Sequence, residues 1–156
     1  MRKIKFRGQK LKSGEWVEGG IYEENGSVYI RRKTEFPNNV YFSYEVNPET
    51  VGQFTGLLAK SYKKNILPEI YEGDLFRQTK ETSNGDITAY LVVMWIEQLA
   101  AFYLVPVDHY DVIKGNDVSK EQEFSWLFED AELRDFSIDV GLMKVGNSHD
   151  NPELLQ

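Results

Sequence analysis

The sequence predicts a mostly β, β-rich α+β fold with one amphipathic helix near 119–133. Three observations carry this. The aromatic residues make up 13% of the chain, nearly all Phe and Tyr, and they interleave with β-branched residues, a mixture that suits strands. Apolar and polar residues alternate with period two at the N-terminus, the mark of a half-buried strand. Two Asn-Gly pairs, Asn25-Gly26 and Asn84-Gly85, are strong hairpin signals.

The elements follow in order. Ile4 and Phe6 share one face, and Lys3, Lys5 and Arg7 the other, which predicts a first strand over 2–7. Ser13-Gly14 is a turn, and 15–22 is a second strand. Trp16 and Val17 are adjacent, so one faces outward unless the strand is covered on both sides. Asn25-Gly26 returns the chain as a third strand through 28–30, completing a β-meander. Residues 31–40 read as a polar loop and 40–46 as a fourth strand. Asn47 suits the N-cap of a short helical turn with Pro48 at its first position. Gly52 and Gly56 argue against a longer helix, and 53–57 reads as a short strand. Residues 59–65 form a basic loop, and 70–77 is a turn feeding a strand. The second Asn-Gly turn leads into 87–96, a central strand, with 100–107 as its partner. Residues 108–118 read as loop. Ser119 then caps a helix with Glu121 and Glu123 in its first turn and Phe124, Leu127, Phe128 and Ala131 on one stripe. A last strand covers 138–145, and a polar tail begins at Gly146-Asn147. The whole reads as a single compact domain over 1–156, with two intertwined β-subdomains of about 1–66 and 67–150 as the alternative.

Composition bounds the chemistry. The 156 residues contain no cysteine, which excludes disulfides, Cys-based zinc sites and cysteine nucleophiles. No run approaches the roughly 18 apolar residues that span a bilayer, so no membrane partner is expected. The basic N-terminus lacks the apolar segment of a signal peptide. A reducing cytoplasm is the expected compartment. The net charge of −7 divides unevenly: residues 1–78 carry 13 Lys/Arg against 10 Asp/Glu, and residues 79–156 carry 5 against 15. Such polarity can steer partners or join subunits of a homo-oligomer.

Glu72-Gly73-Asp74 is the best carboxylate pair, able in principle to serve acid/base or cation chemistry. A metal-dependent hydrolase would use Glu72 and Asp74 with Asp108 or His109. No HExxH, DxDxDG or GxSxG pattern accompanies them. Gly-Asp before an apolar strand is also a common turn, and the sequence favours that reading. His109, between Asp108 and Asp111, makes a weak metal signal, and His149 falls in the tail. The cations from Arg2 to Lys12 and Arg31-Arg32-Lys33, with Phe6, Trp16 and Tyr22, could form a stacking surface for nucleic acid. The sequence favours the plainer reading, the wet face of an edge strand, and the overall acidity argues against tight phosphate binding. The acidic C-terminal half could instead mimic DNA. No catalytic residue, metal or cofactor is assigned. The candidate binding residues are Arg7, Trp16, Tyr22, Tyr71, Glu72 and Asp74. The reading favoured is a non-enzymatic binding module.

Three blocks resemble the YopX family of phage and prophage proteins. The first is Met1-Arg2-Lys3-Ile4-Lys5-Phe6-Arg7-Gly8 with Gly14-Glu15-Trp16-Val17-Glu18-Gly19. The second is Val46-Asn47-Pro48-Glu49-Thr50-Val51-Gly52-Gln53-Phe54-Thr55-Gly56-Leu57, then Ile70-Tyr71-Glu72-Gly73-Asp74-Leu75. The third is Val145-Gly146-Asn147 with Asn151-Pro152-Glu153-Leu154-Leu155. The resemblance implies a phage or prophage origin, a bacterial host cytoplasm and a fold related to SH3-like barrels. A host or phage protein is then the natural partner. It implies no activity, the family being one of unknown function, and no site residues.

Overall fold

In the computed structural model residues 3–33, 40–58, 68–115 and 142–156 are described, and the chain falls into two units, Met1–Gly56 and Leu57–Gln156.

The first unit is built on an antiparallel sheet. Its strands are β1 (Phe6–Gln9), β2 (Trp16–Glu24), β3 (Ser27–Lys33), β4 (Tyr41–Val46) and β5 (Gly52–Leu58), in spatial order β4-β3-β2-β1-β5. Asn25 and Gly26 both take positive φ, 52° and 83°, the conformation of a two-residue type I′ hairpin turn. That turn places Glu24 opposite Ser27, and the ladder then sets Tyr22 against Tyr29 and Gly20 against Arg31. Strand β2 serves two partners. Trp16 to Gly19 pair with β1, and Gly20 to Glu24 pair with β3. At the changeover a Cβ on Gly19 would overlap the Arg31 carbonyl, whereas nothing lies within 4 Å of a Cβ on Gly20.

Val17, Ile30 and Val46 form this unit's buried core, with Phe6, Val28, Tyr44 and Val51 packed against it. Asn47 accepts the Glu49 N–H at 3.1 Å and caps a 3-10 turn over Pro48–Thr50, as its sequence indicates. The Thr50 hydroxyl accepts the Gln9 N–H at 2.9 Å and donates to the Asn47 carbonyl at 2.7 Å. The end of β4 is thereby tied to the end of β1.

The second unit contains β6 (Glu69–Tyr71), β7 (Asp74–Thr82), β8 (Gly85–Ile96), β9 (Ala101–Pro106) and β10 (Leu142–Asn147). Four of these make an antiparallel sheet in the order β10-β7-β8-β9. Neighbouring residues Leu75 and Phe76 are both fully buried and belong to different clusters. Successive side chains point to opposite faces of a strand, so this end of the sheet is covered on both sides. Leu75, Val92, Met94 and Val105 lie in one cluster, and Phe76, Val93, Phe102 and Leu104 in the other.

The mostly β class holds, and the strands read at 87–96 and 100–107 are present as β8 (Gly85–Ile96) and β9 (Ala101–Pro106). Several expectations are corrected. Among the described residues the two sheets are not closed, and they do not form the SH3-like barrel expected from the resemblance. The first strand starts at Phe6, and Ile4 is 68% exposed. The loop assigned to 31–40 begins late, because β3 runs to Lys33 and pairs there with Tyr41 of β4. Residues 107–115 form a 3-10 turn and a one-turn helix, α1 (Tyr110–Gly115), rather than loop. Buried Val107 and Ile113 hold them against the sheet. Strand β10 continues through Gly146 to Asn147 before the tail turns into a 3-10 helix over Pro152–Leu155. The helix expected near 119–133 lies outside the described residues.

The two adjacent glycines predict opposite outcomes. Gly19→Ala lowers stability by roughly 2–3 kcal/mol, because backbone must shift to clear the methyl. Gly20→Ala is neutral, or stabilises by up to about 1 kcal/mol, because it relieves the entropy cost of a strand glycine in open space. Urea unfolding of the two variants beside the parent chain checks both.

Candidate binding face of the N-terminal sheet

Strand β3 separates its residues by parity. Val28 and Ile30 face the core, so Tyr29, Arg31 and Lys33 face the other way. The ladders extend that outer face into rows. Tyr29 lies between Tyr22 of β2 and Glu45 of β4, and Arg31 between Gly20 and Ser43. Lys33 lies beside Tyr41. The middle row is low, since both neighbours of Arg31 are small. The result is a trough across the strands, with Arg31 on its floor. Tyr22 and Tyr29 form one wall, and Lys33 and Tyr41 the other. Tyr29 and Lys33 are four residues apart, so the walls stand about 13 Å apart at the backbone.

The side chains are ordered by one another. Tyr22 and Tyr29 stack with centroids 5.2 Å apart and planes 16° from parallel. The Arg31 guanidinium lies 5.3 Å from the Tyr22 ring centroid and 5.9 Å from that of Tyr41. This is cation–π geometry on two sides of one cation. Arg31, Arg32 and Lys33 are all exposed and make no ion pair among the described residues. Tyr41 is 60% exposed. Three carboxylates share this face: Glu18 pairs with Lys5 at 3.0 Å, Glu45 accepts the Ser27 hydroxyl at 2.7 Å, and exposed Glu24 stands opposite Ser27 at the hairpin end.

Farther along β2, the Arg7 guanidinium sits 4.9 Å from the Trp16 ring centroid. Arg7 is only 8% exposed, so it supports the Trp16 ring rather than meeting solvent. Val17 takes the core side, which settles the Trp16/Val17 alternative. On the neighbouring hairpin, hydrogen bonds from Lys10 and Ser13, with the Lys10 charge, hold the Glu15 carboxyl below its ordinary range.

The second candidate cluster lies in the other unit. Tyr71, Glu72 and Asp74 occupy the tight turn between β6 and β7, with Gly73 at φ 80°. One Asp74 carboxylate oxygen accepts the Tyr71 N–H at 2.8 Å and the Lys144 ammonium at 2.6 Å. The same ammonium donates to the Glu69 carbonyl at 3.1 Å. Asp74 is fully buried, and the Lys144 side chain is 24% exposed. The Tyr71 hydroxyl donates to Glu69 at 2.9 Å. Backbone bonds from Gly73 N–H to Val93 and from Ser148 N–H to Gly73 fix the turn between two strands. Asn147, opposite Asp74 in the ladder, accepts the N–H groups of His149 and Asp150 at 2.9 Å each. This is the geometry of a turn former, with the carboxylate satisfying backbone donors. Among the described residues no three His, Asp or Glu side chains gather as metal ligands.

Of the six sequence candidates, Arg7, Trp16 and Tyr22 therefore belong to the outer side of one sheet, with Arg7 buried. Tyr71, Glu72 and Asp74 belong to a turn in the other unit, where Tyr71 and Asp74 are buried and Glu72 is half-buried. Sequence reasoning missed Gly20, Tyr29, Tyr41 and Ser43 as lining residues and Lys144 as the partner of Asp74. It placed Arg31 in a basic patch but not against the tyrosines.

The fold and this face define a mostly β protein carrying a sheet surface of tyrosines and of cations that make no ion pair among the described residues. Residues 5–156 match the family model described as YopX protein, and the chain belongs to the YopX family. No curated protein and no solved structure matches it.

The turn-former role of Asp74 has a direct consequence. Lys144→Met strands a buried carboxylate and lowers stability by about 3 kcal/mol. Asp74→Ala frees the Tyr71 N–H and lowers it similarly. Denaturation midpoints of the two variants and the double variant measure the coupling; independent, additive losses would show that the pair does not act as a unit.

Proposed function

We propose that this chain is a phage- or prophage-encoded, cytoplasmic, non-enzymatic binding module that engages its ligand through the outer face of β2, β3 and β4. The single observation that carries the reading is the trough around Arg31: an exposed cation held between two tyrosine rings that makes no ion pair among the described residues. Ordering a long side chain costs conformational entropy, and the ring contacts supply that order before a ligand arrives. A preorganised donor surface binds more tightly than a mobile one. The phage setting rests on the family resemblance.

The hydrolase alternative draws less support. It requires Asp74 to face a cleft, and that carboxylate is buried against Lys144 and the Tyr71 N–H.

Gly20→Glu tests the binding reading without disturbing the fold, since the new Cβ meets nothing within 4 Å. The full-length chain is immobilised and passed over bacterial extract, and bound protein and nucleic acid are quantified separately. Wild type retains a ligand, and Gly20→Glu loses it. Equal retention by both moves the function away from this face. Turnover in a broad hydrolase screen that is abolished by Glu72→Gln overturns the non-enzymatic reading.

A further inference from the structure

We infer that the trough around Arg31 is a site for single-stranded nucleic acid, with Arg31 and Lys33 taking backbone phosphates and Tyr29 and Tyr41 stacking bases. The inference deepens the binding-module reading and rests on it.

Four features of the site point to this ligand. The first is the cation. A guanidinium presents several N–H donors in one plane, and contacts with Tyr22 and Tyr41 hold this one in place while the side chain stays exposed. Phosphate oxygens match such donors. The second is the aromatic surface. Stacking on Tyr22 uses one face of the Tyr29 ring, and contact with Arg31 uses one face of Tyr41. What each ring leaves exposed, most of Tyr41 and part of Tyr29, is where the base would sit. Stacking of bases on tyrosine is indifferent to sequence and requires bases that are not paired in a duplex.

The third feature is the floor. Gly20 leaves backbone bare beside Arg31, with open space above it. A glycine in a strand interior marks places where another chain comes close. The fourth is local charge. The chain as a whole is acidic, but residues 1–56 carry nine Lys/Arg against seven Asp/Glu. On the face itself Glu18 is paired with Lys5, Glu45 bonds the Ser27 hydroxyl and Glu24 lies two rows from Arg31 at the hairpin end, while Arg31 and Lys33 make no ion pair among the described residues. Charges beyond the Debye length of about 8 Å at physiological salt are largely screened, so the ligand responds to the trough more than to the net charge. An acidic peptide could satisfy the cations, but it would leave both tyrosine faces without a stacking partner.

The test uses the full chain and a fluorescently labelled oligothymidylate at low salt, about 50 mM. A duplex of equal length and polyglutamate serve as competitors. The oligothymidylate binds; the duplex and polyglutamate displace it poorly. Two phosphate contacts give log K a slope against log salt of roughly −1.4, and Arg31→Ala reduces that slope by about 0.7. Tyr41→Ala and Gly20→Glu each weaken binding roughly tenfold, with far-UV circular dichroism unchanged. Absence of binding at low salt overturns the inference. So does binding that survives Gly20→Glu, or displacement by polyglutamate as effective as that by unlabelled oligothymidylate. A protein retained from extract in a Gly20-dependent way, without oligothymidylate binding, overturns this inference and leaves the binding-module reading standing.

Discussion

The register of one hairpin underlies the whole outer face of the N-terminal unit. Asn25 and Gly26, both at positive φ, allow only two residues between β2 and β3. Every pair between β2 and β3 follows from that count, so Tyr22 must meet Tyr29 and Gly20 must meet Arg31. A slip of one residue would carry Arg31 into the core and Ile30 out to solvent. Burying an unpaired guanidinium is far more costly than losing one aliphatic contact. The core of Val17, Ile30 and Val46 and the exposed cation–tyrosine arrangement therefore enforce the same register from opposite sides of the sheet. Apolar burial fixes which face is which, and the turn fixes who stands beside whom.

The C-terminal unit has a different organising contact. Its sheet is apolar on both faces near Leu75 and Phe76, which supplies stability but little directional information. Asp74 supplies the direction. A fully buried carboxylate tolerates few arrangements, and here it bonds a backbone N–H in its own turn and an ammonium on β10. Lys144 is far away in sequence, so the contact selects one pairing of β7 with β10. The neighbouring Asn147 does similar work for the tail, by accepting two successive backbone N–H groups. A buried ion pair of this kind contributes less to net stability than to excluding alternatives.

Legibility of these features in the sequence varied with the range of the interaction. The Asn25-Gly26 turn, the Asn47 cap and the 87–96 strand depend on neighbours in the chain, and local chemistry revealed them. The Tyr22–Tyr29 and Gly20–Arg31 pairs were available by counting outward from the hairpin turn, yet the assignment of 31–40 to a loop ended the count too early. Strand β3 reaches Lys33 because β4 continues the ladder, and that pairing spans a longer connection whose length cannot be translated into register. Tyr41 therefore could not be placed beside Arg31 from sequence. Lys144 carried no local signal at all. It is one lysine in an alternating strand, and only the fold brings it to Asp74. The short helix at Tyr110–Gly115 was hidden for the same reason, since buried Val107 and Ile113 hold a segment whose Asp and Gly content reads as loop.

The Gly19-Gly20 dipeptide joins fold to function. Its two members look alike in the sequence, and a single explanation would seem to serve both. The structure separates them. Gly19 is required by the fold, because the Arg31 carbonyl occupies the space its side chain would need. Gly20 meets no such obstacle. At its position a side chain would fit and would reduce the entropy lost when the strand forms, by about 0.5–1 kcal/mol. The second glycine thus costs stability and relieves no clash. Its effect appears only on the outer surface, where a side chain would rise beside Arg31 and fill the trough between the tyrosines. The visible consequence of Gly20 is therefore an open floor next to a cation that makes no ion pair among the described residues, and the folding of the strand does not require it.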